Sequence, residues 1–174
     1  MIRLFSSERG AAVIEMALIA PVLALGVIGI VDVSNAYSRK LALEQGAQRA
    51  VEKIMNTTEN STVESTLANE VRCQVNGSTT SGSTTTCNTS STQNITVNWR
   101  LDCTTGGTTT STSTTSSATY DALVAACISP ATKAGYVQVT VTDKYSPLFP
   151  IHFAAFNTSD STYHLAATAG VRTM

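Results

Sequence analysis

From Ala11 to Val31 the chain is apolar for 21 residues, broken only by Glu15. A helix of that length rises about 30 Å at roughly 1.5 Å per residue, the thickness of a bilayer core. Arg3 and Arg9 precede the run and Asp32 ends it. Basic residues before a span favour a cytoplasmic N-terminus, which places the rest of the chain across the membrane.

Three readings compete for this segment. A secretory signal peptide would use the basic start and be cut after Ala36, where Ser34-Asn35-Ala36 offers small residues. Against it, the run exceeds the usual ~7–15 apolar residues, and Glu15 lies inside it. A plain anchor leaves Glu15 unexplained, since an acidic residue at a span's centre costs roughly 2.5–3.5 kcal/mol on insertion scales. The third reading is a short basic leader, residues 1–10, ending in Gly10 and followed by a stem. Counted from Ala11, Glu15 is then the fifth residue.

The third pattern resembles type IV prepilins, and within them the TadE-like pseudopilins of tight-adherence (Flp) pilus systems. Their pattern is Gly, four residues, Glu, then usually Tyr; Met16 stands at the Tyr position here. Further on, a Val-rich strand (Val137 to Val141), Tyr145, the Pro147–Pro150 stretch and Arg172 follow the order seen in that family. The resemblance implies cleavage by a prepilin peptidase between Gly10 and Ala11. It implies other pilin or pseudopilin subunits and the inner-membrane assembly machinery as partners. It also implies an inner-membrane, single-pass protein with a periplasmic C-terminal domain, which could enter an extracellular pilus. The role would be structural, in assembly, with no enzymatic activity and no cofactor.

Elementary electrostatics agrees with this reading. Cleavage would leave a free amine on Ala11, with Glu15 about 6 Å further along the axis. A carboxylate near the positive end of a helix is favoured, and in a bundle it could pair with a neighbouring subunit's amine. Alternatively, Glu15 snorkels to the headgroups. Ala17, Ala20 and Ala24 share a face that allows close helix approach in a membrane. Pro21 removes one backbone donor within the span.

The helical pattern continues past the apolar run, so residues 11–31 form the transmembrane half and 32–55 an amphipathic half of one helix. Val33, Tyr37, Leu41, Ala47, Val51 and Ile54 lie near one stripe and would face the domain. Gly46 reads as a soft spot costing about 1 kcal/mol relative to Ala. The domain proper, residues 56–174, begins with a polar break from Asn56 to Ser61. A second short helix over Thr62 to Val75 carries Val63, Leu67 and Val71 on one face. Strict alternation predicts strands at Asn94–Cys103, Gly135–Lys144 and Tyr163–Thr173. Tyr120–Cys127 reads as a helix. The fold class is α+β: a long N-terminal helix packed on a small antiparallel sheet, pilin-like in its layout.

Ser and Thr make up more than a quarter of the chain and charged residues only 13%. Their densest stretches, residues 77–92 and 104–119, cannot bury apolar surface and read as exposed loops. Cys73, Cys87, Cys103 and Cys127 all follow the apolar run, in spacings that suit neither zinc nor a redox motif. In an exported domain they suggest two disulfides. Three connectivities are open; the shortest loops favour Cys73 with Cys87 and Cys103 with Cys127. A secreted, disulfide-bonded adhesin or binding domain is therefore the second functional reading, tied to a cut after Ala36.

No catalytic or metal-binding constellation stands out. His152 and His164 lack metal-ligand spacing, and Asp102, Asp121 and Asp143 read as isolated turn or surface residues. The net charge of -1 provides no basic field for nucleic acid.

Overall fold

The computed structural model describes residues 8–56, 64–149 and 156–174. Most of the 1–10 leader with Arg3, the break after Asn56, Val63, Pro150 and His152 lie outside the described residues. One helix, α1 (Glu8–Asn56), runs without interruption through Pro21. It is followed by α2 (Glu64–Asn76), β1 (Ser78–Ser81), β2 (Thr84–Cys87), β3 (Asn94–Thr105) and β4 (Thr108–Thr114). Then come α3 (Ser117–Ala126), β5 (Thr132–Tyr145), β6 (Phe156–Asn157) and β7 (Thr162–Arg172).

Five strands form one antiparallel sheet in the order β4-β3-β5-β7-β6. Its register puts Val139 between Val97 of β3 and Ala169 of β7. Alternation then sends Val97, Trp99 and Leu101 inward together with Val137, Val139 and Val141. The distal half of α1 lies across β5 and β7, and α2 lies against α1 and β3. Leu43, Ala47, Ala50, Leu67 and Val71 close the core from the helical side. The α+β layout and its three main strands thus follow the alternation pattern, with ends shifted by one to three residues.

Two of the expectations need correction. The Ser/Thr-rich stretches are exposed but are not plain loops. Residues 78–87 form a separate two-stranded hairpin, and Thr108–Thr114 is the edge strand β4. The β3–β4 turn is Gly106-Gly107, with φ of 59° and 85°. A two-residue hairpin loop with both residues at positive φ is a tight reversal whose twist matches the strands. The flanking threonines are β-branched and suit strands on a surface. Polarity removed these segments from the core without removing their strand preference.

Gly46 is the second correction. It is buried where α1 crosses α2, and a Cβ there would stand 2.6 Å from Val75 Cγ2 and 3.3 Å from Val71 Cγ1. The missing side chain is what allows the two helices to approach. A comparable gap occurs at Gly135, where a Cβ would collide with the Tyr120 hydroxyl. Tyr120 stacks on Trp99 at 5.3 Å between ring centroids.

Both disulfides join consecutive cysteines: Cys73–Cys87 ties α2 to the small hairpin, and Cys103–Cys127 ties β3 to the end of α3. On the loop-entropy account each is worth about 3 kcal/mol. The N-terminus of α3 is capped twice. Ser116 accepts from Thr119 N–H, and the Glu64 carboxylate accepts from Ser117 N–H. Burial pushes the Glu64 carboxyl up, but hydrogen bonds from its own N–H and from Ser117 outweigh this and hold it below its ordinary value.

Helix propensity alone would make Gly46→Ala stabilising by about 1 kcal/mol. The crossing reverses the sign: we expect a loss of about 1–3 kcal/mol from overpacking, read by urea denaturation of the full chain in detergent. A gain in stability would show that α1 and α2 do not meet as described.

Candidate functional site

The surface most able to do work is the stem and its junction with the domain. From Ala12 to Val27 every residue of α1 is exposed. Val13 is 68% exposed, Leu18 71% and Val22 68%. A continuous apolar surface of this extent is not left to water; it is covered by lipid or by other chains. Among the described residues this is the one helix long and apolar enough to cross a membrane. Glu15 is exposed on it, as are Ala17, Ala20 and Ala24. None of these four is near the domain, so their expected roles concern other molecules. Gly10 and Ala11 lie in the first turns of α1.

The domain takes hold of the stem through two charges on one face, seven residues apart. Asp32 is 3% exposed. It accepts from Leu148 N–H at 2.8 Å, Phe149 N–H at 3.1 Å and the Tyr145 hydroxyl at 3.3 Å. Two turns on, Arg39 donates from Nε to Asp143 Oδ2 at 2.8 Å, while its Nη2 lies 2.6 Å from the same oxygen. The guanidinium also reaches the Val75 carbonyl at 3.2 Å and Asn76 Oδ1 at 2.9 Å. Asp143 accepts in addition from the Thr92 hydroxyl at 2.6 Å. One arginine therefore joins α1, the end of α2 and β5, and its partner Asp143 ties in the segment before β3.

These contacts revise the expected helix face. Val33, Tyr37 and Leu41 do not enter the core; they are 54, 62 and 40% exposed, and Val33 and Tyr37 only border a groove shared with Tyr163 and Leu165 of β7. The distal part of the expected stripe, Ala47, Val51 and Ile54, packs on the domain as expected, but nearer the membrane that face carries Asp32, Arg39 and Leu43, with Ala36 half-buried between the charges. Small side chains let α1 lie close to the sheet, and the charges find partners there. The apolar stripe Val33–Tyr37–Leu41 therefore remains available and prolongs the exposed surface of the stem beyond the span. Asp143, expected at the surface, is 4% exposed and occupies the inward row of β5 after Val137, Val139 and Val141. Asp102 pairs with Arg100 across two residues of β3, and this lowers its carboxyl below its ordinary range. Asp121 is exposed, as expected. His164 and Lys144 both bind Asp160, whose carboxyl is held well below the usual value by those two partners.

Asp32, Arg39 and Asp143 escaped the sequence reading. One signal was available: at 100° per residue, positions 32 and 39 fall within about 20° of each other on a helix. Opposite charges stacked that way among small residues mark a packed face. Nothing in the sequence pairs Arg39 with Asp143, which lies 104 residues away.

Residues 10–52 match the model of the TadE-like protein family. The matched stretch begins at Gly10 and covers the span, both junction charges on α1 and the Val33–Tyr37–Leu41 stripe. The Val137–Arg172 part of the resemblance lies outside it. No curated protein and no solved structure matches the chain.

Removing Arg39 leaves the Asp143 carboxylate buried without its cation. Arg39→Leu is expected to cost about 3 kcal/mol, and Asp143→Asn in that background to recover part of it. Urea unfolding of the two variants checks this; equal losses would deny the pairing. Burial, then the Asp32 charge, raises the Tyr145 hydroxyl above its ordinary value. A raised pKa adds stability that is full below about pH 10 and is lost as pH rises further, when the unfolded chain ionises first. Stability should therefore fall less steeply above pH 10 in Tyr145→Phe than in the parent.

Proposed function

We propose that this chain, TadE-like over its stem at residues 10–52, is a structural minor pilin or pseudopilin that takes part in assembling a tight-adherence type pilus. The observation that carries the reading is the form of the stem. Helix α1 is bare and apolar from Ala12 to Val27 and bears the domain only beyond that stretch. A surface built this way serves one host before assembly and another after it. Lipid covers it in the inner membrane, and the stems of neighbouring subunits cover it in a filament.

On this reading a prepilin peptidase cuts between Gly10 and Ala11 from the cytoplasmic side, leaving the domain in the periplasm. Glu15 becomes the fifth residue of the mature chain. In the bundle it pairs with the Ala11 amine of an adjacent subunit, which offsets the cost of placing either charge in an apolar layer. Ala17, Ala20 and Ala24 allow the stems to approach, and Val33, Tyr37 and Leu41 extend the contact above the membrane. The partners are other pilin subunits, the peptidase and the assembly machinery of the inner membrane. Cleavage after Ala36, as in a secreted adhesin, would discard Asp32 and leave the Leu148 and Phe149 N–H groups without their acceptor. The anchoring face of α1 counts against that alternative.

Mass spectrometry of the mature N-terminus tests the reading. A start at Ala11 is expected, and Gly10→Leu should leave only the uncut form. A start at Tyr37 would overturn the proposal in favour of secretion. Glu15→Ala is expected to leave insertion and cleavage intact while reducing recovery in sheared pili by at least tenfold, measured by immunoblot.

A further inference from the structure

Asp32 directly follows the apolar run that ends at Val31, yet it is buried rather than hydrated. Helical side chains lean toward the N-terminus, so its carboxylate lies on the membrane side of its own Cα. The two backbone donors that it accepts, from Leu148 and Phe149, are drawn to that level. The loop after β5 therefore meets α1 where the apolar run ends.

The side chains held there are the wrong kind for a watery turn. Leu148 is 66% exposed and Phe149 37%, while their N–H groups are already satisfied by Asp32. Three tyrosines lie around Asp32, which holds that pair. Tyr145 donates to Asp32, Tyr163 lies 6.4 Å from Tyr145 between ring centroids, and Tyr37 is exposed one and a half turns along α1. Amphipathic rings at the end of a span are characteristic of the membrane–water boundary.

We infer that Leu148 and Phe149 form a wedge that enters the outer surface of the same bilayer that α1 spans, with Asp32 as its positioning residue. The inference rests on the membrane reading of the stem. Its occupant is lipid because the pair lies at the level where the apolar run ends. There, acyl chains give way to headgroups around the helix, and no unsatisfied backbone donor remains in the pair for a polar partner. The wedge fixes how far the domain stands above the membrane, and it must leave the lipid when a subunit is drawn out of the bilayer.

The test uses the full chain in phosphatidylcholine vesicles with brominated or unbrominated acyl chains. Trp99 is 5% exposed and provides the constant background. Phe149→Trp is expected to lose at least half of its added fluorescence in brominated vesicles and to resist aqueous acrylamide. Val22→Trp, within the span, reports on insertion independently. If Trp at 22 is quenched by bromine while Trp at 149 is not and is open to acrylamide, the wedge is overturned and the stem reading stands. If neither is quenched, the membrane reading fails and the wedge fails with it. In the Phe149→Trp background, Asp32→Ala should reduce the bromine quenching at least twofold; unchanged quenching would overturn the positioning role of Asp32.

Discussion

A carboxylate and a guanidinium, two turns apart on one face of α1, attach the domain to its stem. Asp32 gathers three donors, one from the last residue of β5 and two from the loop after it, and Arg39 meets Asp143 within the sheet's inner row. Buried charges are costly unless each is matched, and breaking one side leaves the other stranded. That asymmetry is useful at a joint. Apolar contacts between a helix and a sheet tolerate sliding, whereas a matched charge pair fixes both the rotation and the rise of the helix. Close packing at Gly46 and Ala47 then follows from a helix already set at the right height.

Much of the architecture was legible. A sustained apolar run, three alternating segments and two amphipathic helices each leave a periodic signal, because one face of each element must avoid water. The polar strands were not legible from that signal, since a strand with both faces in water has no alternation to show. Gly106-Gly107 between threonines was the remaining clue, and it depends on turn chemistry rather than on burial.

The site divided in the same way. The stem is a local property, so the small-residue stripe could be singled out from spacing, and Gly10 and Glu15 from the resemblance to prepilins that their spacing carries. The joint is a tertiary property. Arg39 and Asp143 satisfy each other only because the fold lays α1 across β5, and no local pattern encodes that. Val33, Tyr37 and Leu41 misled for a related reason. They are the most apolar residues on their part of the helix, but the sheet needed small side chains and charge partners instead. What looked like a core stripe is surplus apolar surface, in line with a stem that serves other chains.

Helix α1 is one rod of 49 residues, and its contacts with the domain are strung along its distal half from Asp32 to Ile54. The direction of an applied load then matters. A pull along the rod's axis loads the Asp32 bonds, the Arg39–Asp143 pair and the Leu43–Val51 packing together, in shear. A sideways pull on the domain would open them one after another, as peeling does. The joint is therefore strongest along the axis of the rod, the direction in which the proposed filament would be stretched.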